Sequence, residues 1–562
     1  MESWTAVVLM ITTASVYGAV SFCPNRCECP NGITVNCSDK ELKILDPGLF
    51  SPLDLRGIQH LFLDGNRLFG LDRDVFTWLG KLRVLHLHNN IVTSLHLDTF
   101  SGQRNLEELT LHNNALSLLH ISLFRRLWSL RSLTLHRNRI RVIDNGTFSS
   151  LRNLERLDLS FNEIKVLDNG LLNSQNRLIF LSLSYNNIKG IPTNFFNSLE
   201  NLINLSISYN DVITIEESTF SHMQKLESLY LNNNKISTFE NSNLQLSSLK
   251  MLDLSSNAFL NLQKDLFSKL PQLEILNLQN NYLQYLESGL FGSLTQLRHL
   301  NLDNNKLQNI PELPLNIKSL SLSQNLIKKL DNQIFDKAMA LEEINLSMNQ
   351  LKSVDSVFGK LAHLKTMRLN DNNICRLEVD MFNDLKELKS LNLSNNALKM
   401  LNMGLFSSLQ NLEMLLLRNN SLQMIETDVV EPLAKLKELD LEENPLVCDC
   451  NLKRTWTWAT EHRINHRATC GSPEVMRGQS WNLTQLLSCG EKEIVLPVEN
   501  VDTTPKDMTT AMPTTTMSTT AMPTTTISMA KAEMHATNHK VSLFRAKDSS
   551  WALQGLYNIV PN

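Results

Sequence analysis

The sequence predicts an α/β solenoid: a horseshoe whose concave side is one parallel β-sheet, with a disulfide-bonded cap at each end and a disordered C-terminal tail. Three observations predict it. The pattern L-x-L-x-x-N-x-L, or a close apolar variant, recurs seventeen times between Leu61 and Leu446. Eight of the nine cysteines fall in two clusters that flank these repeats. After Cys489 the composition turns to threonine and proline. The resulting layout is a signal peptide at 1–21, an N-terminal cysteine-rich cap at 22–52, seventeen repeats at 53–447, a C-terminal cysteine-rich cap at 448–490 and a Thr/Pro-rich stalk and tail at 491–562.

The repeat is defined by Asn66, Asn90, Asn114, Asn138, Asn162, Asn186, Asn210, Asn234, Asn257, Asn281, Asn305, Asn325, Asn349, Asn372, Asn396, Asn420 and Asn444. Thirteen of the sixteen spacings are 24 residues, two are 23 and one is 20. This period and pattern mark a leucine-rich repeat solenoid. In the repeat around Asn162, Leu157 and Leu159 alternate with Asp158 and Ser160, the period of a short strand with one buried face. Asn162 stands where the chain leaves the strand, and its amide is placed to satisfy turn backbone groups. Further on comes a large apolar residue, usually phenylalanine: Phe76, Phe100, Phe124, Phe148, Phe196, Phe220, Phe267, Phe291, Phe335, Phe358, Phe382 and Phe406. These rings fill the space between the strand and the convex segment. One repeat cannot bury its own apolar edge, so stability comes from stacking. At roughly 4.8 Å per strand the sheet runs about 75–80 Å along its arc.

The net charge is −4 with 20% charged residues, and no basic stripe recurs at repeat spacing, which argues against a nucleic-acid partner. The apolar stretch Ala6–Val20, followed by small residues, reads as a secretory signal, although it carries Glu2 and no lysine or arginine before it. The cysteine clusters are Cys23-x3-Cys27-x-Cys29-x7-Cys37 and Cys448-x-Cys450-x19-Cys470-x18-Cys489. Solenoid ends expose the apolar cross-section of a terminal repeat, and small caps of this kind are stapled by disulfides in oxidising compartments. Neither cluster contains the C-x2-C pair of a zinc site. Spacing alone leaves several disulfide connectivities open.

With these residues in view, the chain resembles the extracellular leucine-rich repeat proteins of the group that contains Slit, Toll ectodomains, chaoptin and the acid-labile subunit. The repeats carry the resemblance, together with the Cys-Pro-x-x-Cys-x-Cys cap and the run Asn444-Pro445-Leu446-Val447-Cys448-Asp449-Cys450-Asn451-Leu452, followed by Trp456 and Trp458. It covers about residues 23–489. The resemblance implies the pairs Cys23–Cys29, Cys27–Cys37, Cys448–Cys470 and Cys450–Cys489. It implies an extracellular location and a binding role, and it does not choose a ligand.

Two features depart from regularity. The twelfth repeat is only 20 residues long, with Pro311 and Pro314 and no phenylalanine, so a local change of curvature is expected. That change would divide the arch into blocks of eleven and six repeats. Cys375 is the unpaired cysteine, expected at a partly exposed position and available for an intermolecular disulfide and hence a dimer, which non-reducing electrophoresis reads directly.

Function must then lie where the repeat is free to vary, on the outward positions of the strands. His60, His86, His88, His112 and His136 map there. His88, His112 and His136 are equivalent in consecutive repeats, a ladder with the chemistry to sense pH between 5 and 7 or to hold a metal. Phe161, Tyr185 and Tyr209 are equivalent in repeats five to seven, and Phe180 and Tyr230 project nearby. Exposed aromatic clusters mark protein contacts. The candidate N-glycosylation sites are Asn145, Asn204, Asn345, Asn392, Asn419 and Asn482, with Asn36 placed awkwardly beside Cys37. Outward-facing sequons are absent from the N-terminal repeats, so a heavily glycosylated C-terminal half would shift binding towards them.

The tail repeats Thr-Thr-Ala-Met-Pro-Thr-Thr-Thr, lacks the apolar surface to fold and reads as an O-glycosylated stalk. No run of 18 apolar residues follows it. The expected protein is secreted, or a soluble form of a membrane-tethered one. No metalloprotease, serine-hydrolase or phosphate-loop motif is present, so no catalysis and no cofactor are expected. The leading function is recognition of an extracellular protein ligand on the concave face, in cell–cell, matrix or receptor-type contact. The alternative is innate-immune binding of a microbial glycan or lipid.

Overall fold

Each repeat contributes a strand of three residues whose middle side chain is buried, as in Arg156–Asp158 and Phe180–Ser182. The structure, a computed structural model, describes residues 23–489 except 47–49, 51–55, 217, 240–243 and 355–356. The segment expected to be a signal peptide (1–21) and the Thr/Pro-rich tail lie outside the described residues. The chain divides into Met1–Gly490 and Glu491–Asn562, and every described residue belongs to the first unit.

The strands form one twenty-stranded sheet. Each repeat strand pairs in parallel with the repeats before and after it, so that Leu157 faces both Leu133 and Leu181. Equivalent residues therefore stand in columns across the sheet. The caps continue the same sheet. At the N-terminal end, Glu28–Asn31 and Thr34–Asn36 form an antiparallel pair, and Thr34–Asn36 runs parallel to His60–Phe62. At the other end Asn465–Arg467 pairs with Glu438–Asp440. Disulfides join Cys23 to Cys29, Cys27 to Cys37, Cys448 to Cys470 and Cys450 to Cys489. The C-terminal cap also holds the helix Cys450–Glu461, whose first N–H groups (Asn451 and Leu452) donate to the Asp449 side chain.

The helical share of the fold is small. Most segments on the far side of the sheet are turns closed by short-range bonds, such as Leu79 N–H to Phe76 O at 3.0 Å. They are too short to repay helix nucleation. Among the described residues of the repeats only Thr427–Val430 is α-helical.

Two ladders hold the stack together. The consensus asparagines form the first. The amide nitrogen of Asn162 donates to Leu135 O at 3.1 Å, Leu159 O at 3.0 Å and Ser160 O at 3.1 Å, while its oxygen accepts from Ile140 N–H at 3.0 Å. The same four-bond pattern recurs along the column, for example at Asn281. Phenylalanines form the second ladder. Phe76, Phe100, Phe124 and Phe148 are fully buried, with successive centroids 6.2, 6.5 and 6.1 Å apart.

The residue before each consensus asparagine adopts a positive φ in all seventeen repeats, from Gly65 at 68° to Glu443 at 58°. This left-handed turn brings the chain off the sheet and aims the next asparagine inward. It is a conformation most side chains adopt only at a cost.

At the short twelfth repeat the sheet continues without a break. Ser319–Ser321 pairs with His299–Asn301 and Glu343–Asn345 with no register shift. The missing residues come wholly from the opposite side, where a cleft of about 490 Å³ opens among Tyr285, Ile310, Pro311, Leu313 and Ile334.

An Asn162→Ala variant strands one buried N–H and removes donors from three carbonyls. Its unfolding free energy, read from urea denaturation followed by circular dichroism, should fall by about 3 kcal/mol. A loss below about 1 kcal/mol would show that water replaces the ladder at little cost.

Candidate functional site

The left-handed column carries the most informative surface. Seven of its seventeen residues are asparagine, which tolerates positive φ, and one is Gly65. In repeats five, six and seven it holds Phe161, Tyr185 and Tyr209, with φ of 53°, 55° and 54°. Bulky side chains at such φ are conformational outliers. These three rings nevertheless stand 40%, 39% and 42% exposed, so burial does not compensate for the strain. They stack face to face, with centroids 4.0 Å apart and planes within 9° at both steps. That is tighter than the strand spacing of roughly 4.8 Å, so the rings lean together. Burial first, then a hydrogen bond with Tyr209, pushes the Tyr185 phenol up to about 12, and it stays a neutral hydroxyl at physiological pH.

Arginines border the strip. Arg137 precedes Phe161 in the same column and places its guanidinium 5.2 Å from that ring. On the strand, Arg156 lies 3.8 Å over Phe180. Phe180 and Tyr230 are half-buried on strand positions, and Tyr230 donates its hydroxyl to Met251 Sδ at 3.3 Å. The sequence-derived aromatics thus divide into a stacked strip of three and two separate strand residues. Arg137 and Arg156 were not among the sequence-derived candidates. Their place in the same two columns as Phe161 and Phe180 was the available signal.

The histidine column lies one position closer to the strand. His88, His112 and His136 stack with centroids 4.3 and 4.2 Å apart and planes 11° and 13° from parallel. His88 Nδ1 contacts Thr110 Oγ1 at 2.9 Å and His112 Nδ1 contacts Thr134 Oγ1 at 3.0 Å. Acids stand at both ends: Asp64 Oδ2 is 3.8 Å from His88 Nε2, and Asp158 Oδ2 is 3.4 Å from His136 Nδ1. The sequence reading passed over both acids because they sit in the adjoining repeats. Desolvation lowers all three imidazoles, and the neighbouring histidines lower the central one further, bringing His112 to about 3. At its centre, His112 therefore stays neutral across pH 5–7, while His88 and His136 are shifted in the same direction.

The glycosylation candidates differ in setting. Asn145, Asn419 and Asn482 are exposed, whereas Asn204, Asn345 and Asn392 are half-buried on strands. Asn345 is held by Ser321 and Ser347, and Asn419 donates to Asn395. Asn204 is in register with Phe180, beside the aromatic strip. Cys375 is exposed and is the one free cysteine among the described residues. Among those residues no helix is long and apolar enough to cross a membrane.

A leucine-rich repeat family model matches the chain in overlapping stretches at 56–116, 128–307 and 316–446. Podocan-like protein 1 of Homo sapiens is 38% identical over 69 residues, which is 12% of this chain and 12% of that protein. The chain therefore spans only a small part of this curated relative. Among solved structures, the Toll–Spatzle complex of Drosophila superposes with a TM-score of 0.60 at 21% identity, over 80% of this chain and 70% of that one. The ectodomain of the Arabidopsis thaliana receptor kinase GASSHO1/SCHENGEN3, in complex with CASPARIAN STRIP INTEGRITY FACTOR 2, does so at 0.50 and 22%, over 79% and 57%. These likenesses show the fold.

Two measurements check this geometry. Replacing Tyr185 and Tyr209 by asparagine relieves left-handed strain and loses ring stacking, so stability should stay within about 1 kcal/mol of the parent. A larger loss would give the strip a structural role. The lowered imidazoles bind protons in the unfolded chain before the folded one. Stability should therefore decline as pH falls from about 6.5 towards 3. A His112→Gln variant should show a shallower decline in urea titrations, and an unchanged slope would refute the assignment.

Proposed function

Because the chain belongs to the leucine-rich repeat family, whose members present a preformed sheet face, we propose that it is an extracellular binding protein that captures a protein ligand on that face. The observation that carries this reading is the strip Phe161–Tyr185–Tyr209. Three exposed aromatic rings occupy strained backbone positions where asparagine serves elsewhere in the column. Tyrosine and arginine are the residue types enriched at the centres of protein interfaces. Arg137 and Arg156 supply the arginine, over Phe161 and Phe180 respectively. A ligand with an apolar contact surface and an acidic group at its edge fits this chemistry. The stacked rings are already ordered, so little side-chain entropy is lost on binding.

The comparisons support the reading by analogy. The Toll and GASSHO1/SCHENGEN3 structures are complexes with Spatzle and with CASPARIAN STRIP INTEGRITY FACTOR 2. The four cap disulfides support an oxidising, extracellular setting. A glycan on Asn204 would border the site, in register with Phe180, and would restrict the approach of a ligand from that side.

Affinity capture from secreted proteins, run with the full chain and with a Tyr185→Ala/Tyr209→Ala/Tyr230→Ala variant, tests the placement. The parent should retain a partner that the variant loses at least tenfold. Equal capture by both would reject this site. Binding confined to a glycan array, with no protein captured, would favour recognition of a microbial glycan.

A further inference from the structure

We propose that Asp64, His86 and His88 form a binding site for a borderline divalent cation such as Zn²⁺ at the N-terminal end of the histidine column. The three side chains come from the first two repeats, and each offers one ligand atom within 4.8 Å of the others. Asp64 Oδ2 and His88 Nε2 are already 3.8 Å apart. A tetrahedral ion with bonds of about 2.0–2.1 Å needs donors roughly 3.3–3.4 Å apart. Small side-chain rotations about their outer hydrogen bonds would close that difference, and each of the three is about one-fifth exposed.

What separates this trio from a chance cluster is its outer shell. Metal ligands are characteristically oriented by a second hydrogen bond on the atom that does not face the ion. All three have one. Ser38 Oγ donates to Asp64 Oδ1 at 2.8 Å, which leaves Oδ2 towards His88. Thr110 Oγ1 lies 2.9 Å from His88 Nδ1, so a proton on Nδ1 keeps the Nε2 lone pair on the Asp64 side. Glu108 Oε1 lies 3.1 Å from His86 Nε2, the carboxylate–histidine arrangement that fixes a ligand ring.

The charges agree. Glu108 brings a second carboxyl group to the edge of the trio through its contact with His86. Asp64 and Glu108 together balance a dication. Three protein donors leave a tetrahedral ion one position for water or for a ligand carboxylate. The site draws on the N-terminal cap through Ser38, so a bound ion would also tie the cap to the first two repeats.

Isothermal titration of the chelator-treated full chain with ZnCl₂ tests this. The expected result is one saturable equivalent that His88→Gln and Asp64→Asn each weaken at least tenfold. Ser38→Ala, which keeps all three ligands, should weaken it about tenfold. His112→Gln and Cys375→Ser, outside the trio, should leave it within about twofold. Circular dichroism of each variant confirms that the fold is retained. Absence of saturable binding by the parent, or equal loss in His112→Gln and His88→Gln, overturns the proposal.

Discussion

The asparagine column is the constraint on which the rest of the molecule depends. Each repeat must turn sharply off its strand, and the turn exposes backbone donors and acceptors in a place that water does not reach. The asparagine amide satisfies them in both its own repeat and the one before, as Asn162 does with Ser160, Leu135 and Ile140. This holds successive strands in register, which keeps the leucines above one another and the phenylalanines in a continuous row. It also imposes the left-handed residue ahead of it. The aromatic strip and the histidine column are therefore both by-products of one repeated turn, which delivers any side chain at those positions to the same place in successive repeats.

How far the sequence disclosed this follows from the same geometry. The strands, the buried phenylalanines and the alignment of His88 with His112 and of Tyr185 with Tyr209 were legible, because a 24-residue period maps directly onto columns. The left-handed conformation at Phe161, Tyr185 and Tyr209 was not. Periodicity reports which residues are equivalent but not which backbone basin they share. Asp64 and Asp158 escaped for a related reason: a column was read by matching like residues, whereas the chemistry comes from unlike neighbours at its ends. The lowered histidines required burial to be known. The twelfth repeat was recognised as short, but which face absorbed the deletion depended on the sheet holding its register.

The surface features fall into two groups with different physical logic. The strip of rings in repeats five to seven is apolar, exposed and strained, which suits a contact made and released with a partner. The histidine column is half-buried, and His88 and His112 are hydrogen-bonded to threonines of the next strand. At its N-terminal end its nitrogens converge with Asp64. One column offers area and the other offers directed lone pairs, and the two meet where His136 and Arg137 give way to Ser160 and Phe161 along the chain.

The direction of the asparagine side-chain bonds has a consequence for biogenesis. Every bond made by Asn162 reaches back, to its own repeat or to the preceding one. Asn66 reaches back in the same way, to the carbonyl of Cys37 in the N-terminal cap. A nascent repeat can thus complete the bonds of its asparagine as soon as that residue has left the ribosome, without waiting for sequence still to be made. The N-terminal cap is the template for the first repeat, and each finished repeat is the template for the next. In its asparagine column the bonding order follows the order of synthesis.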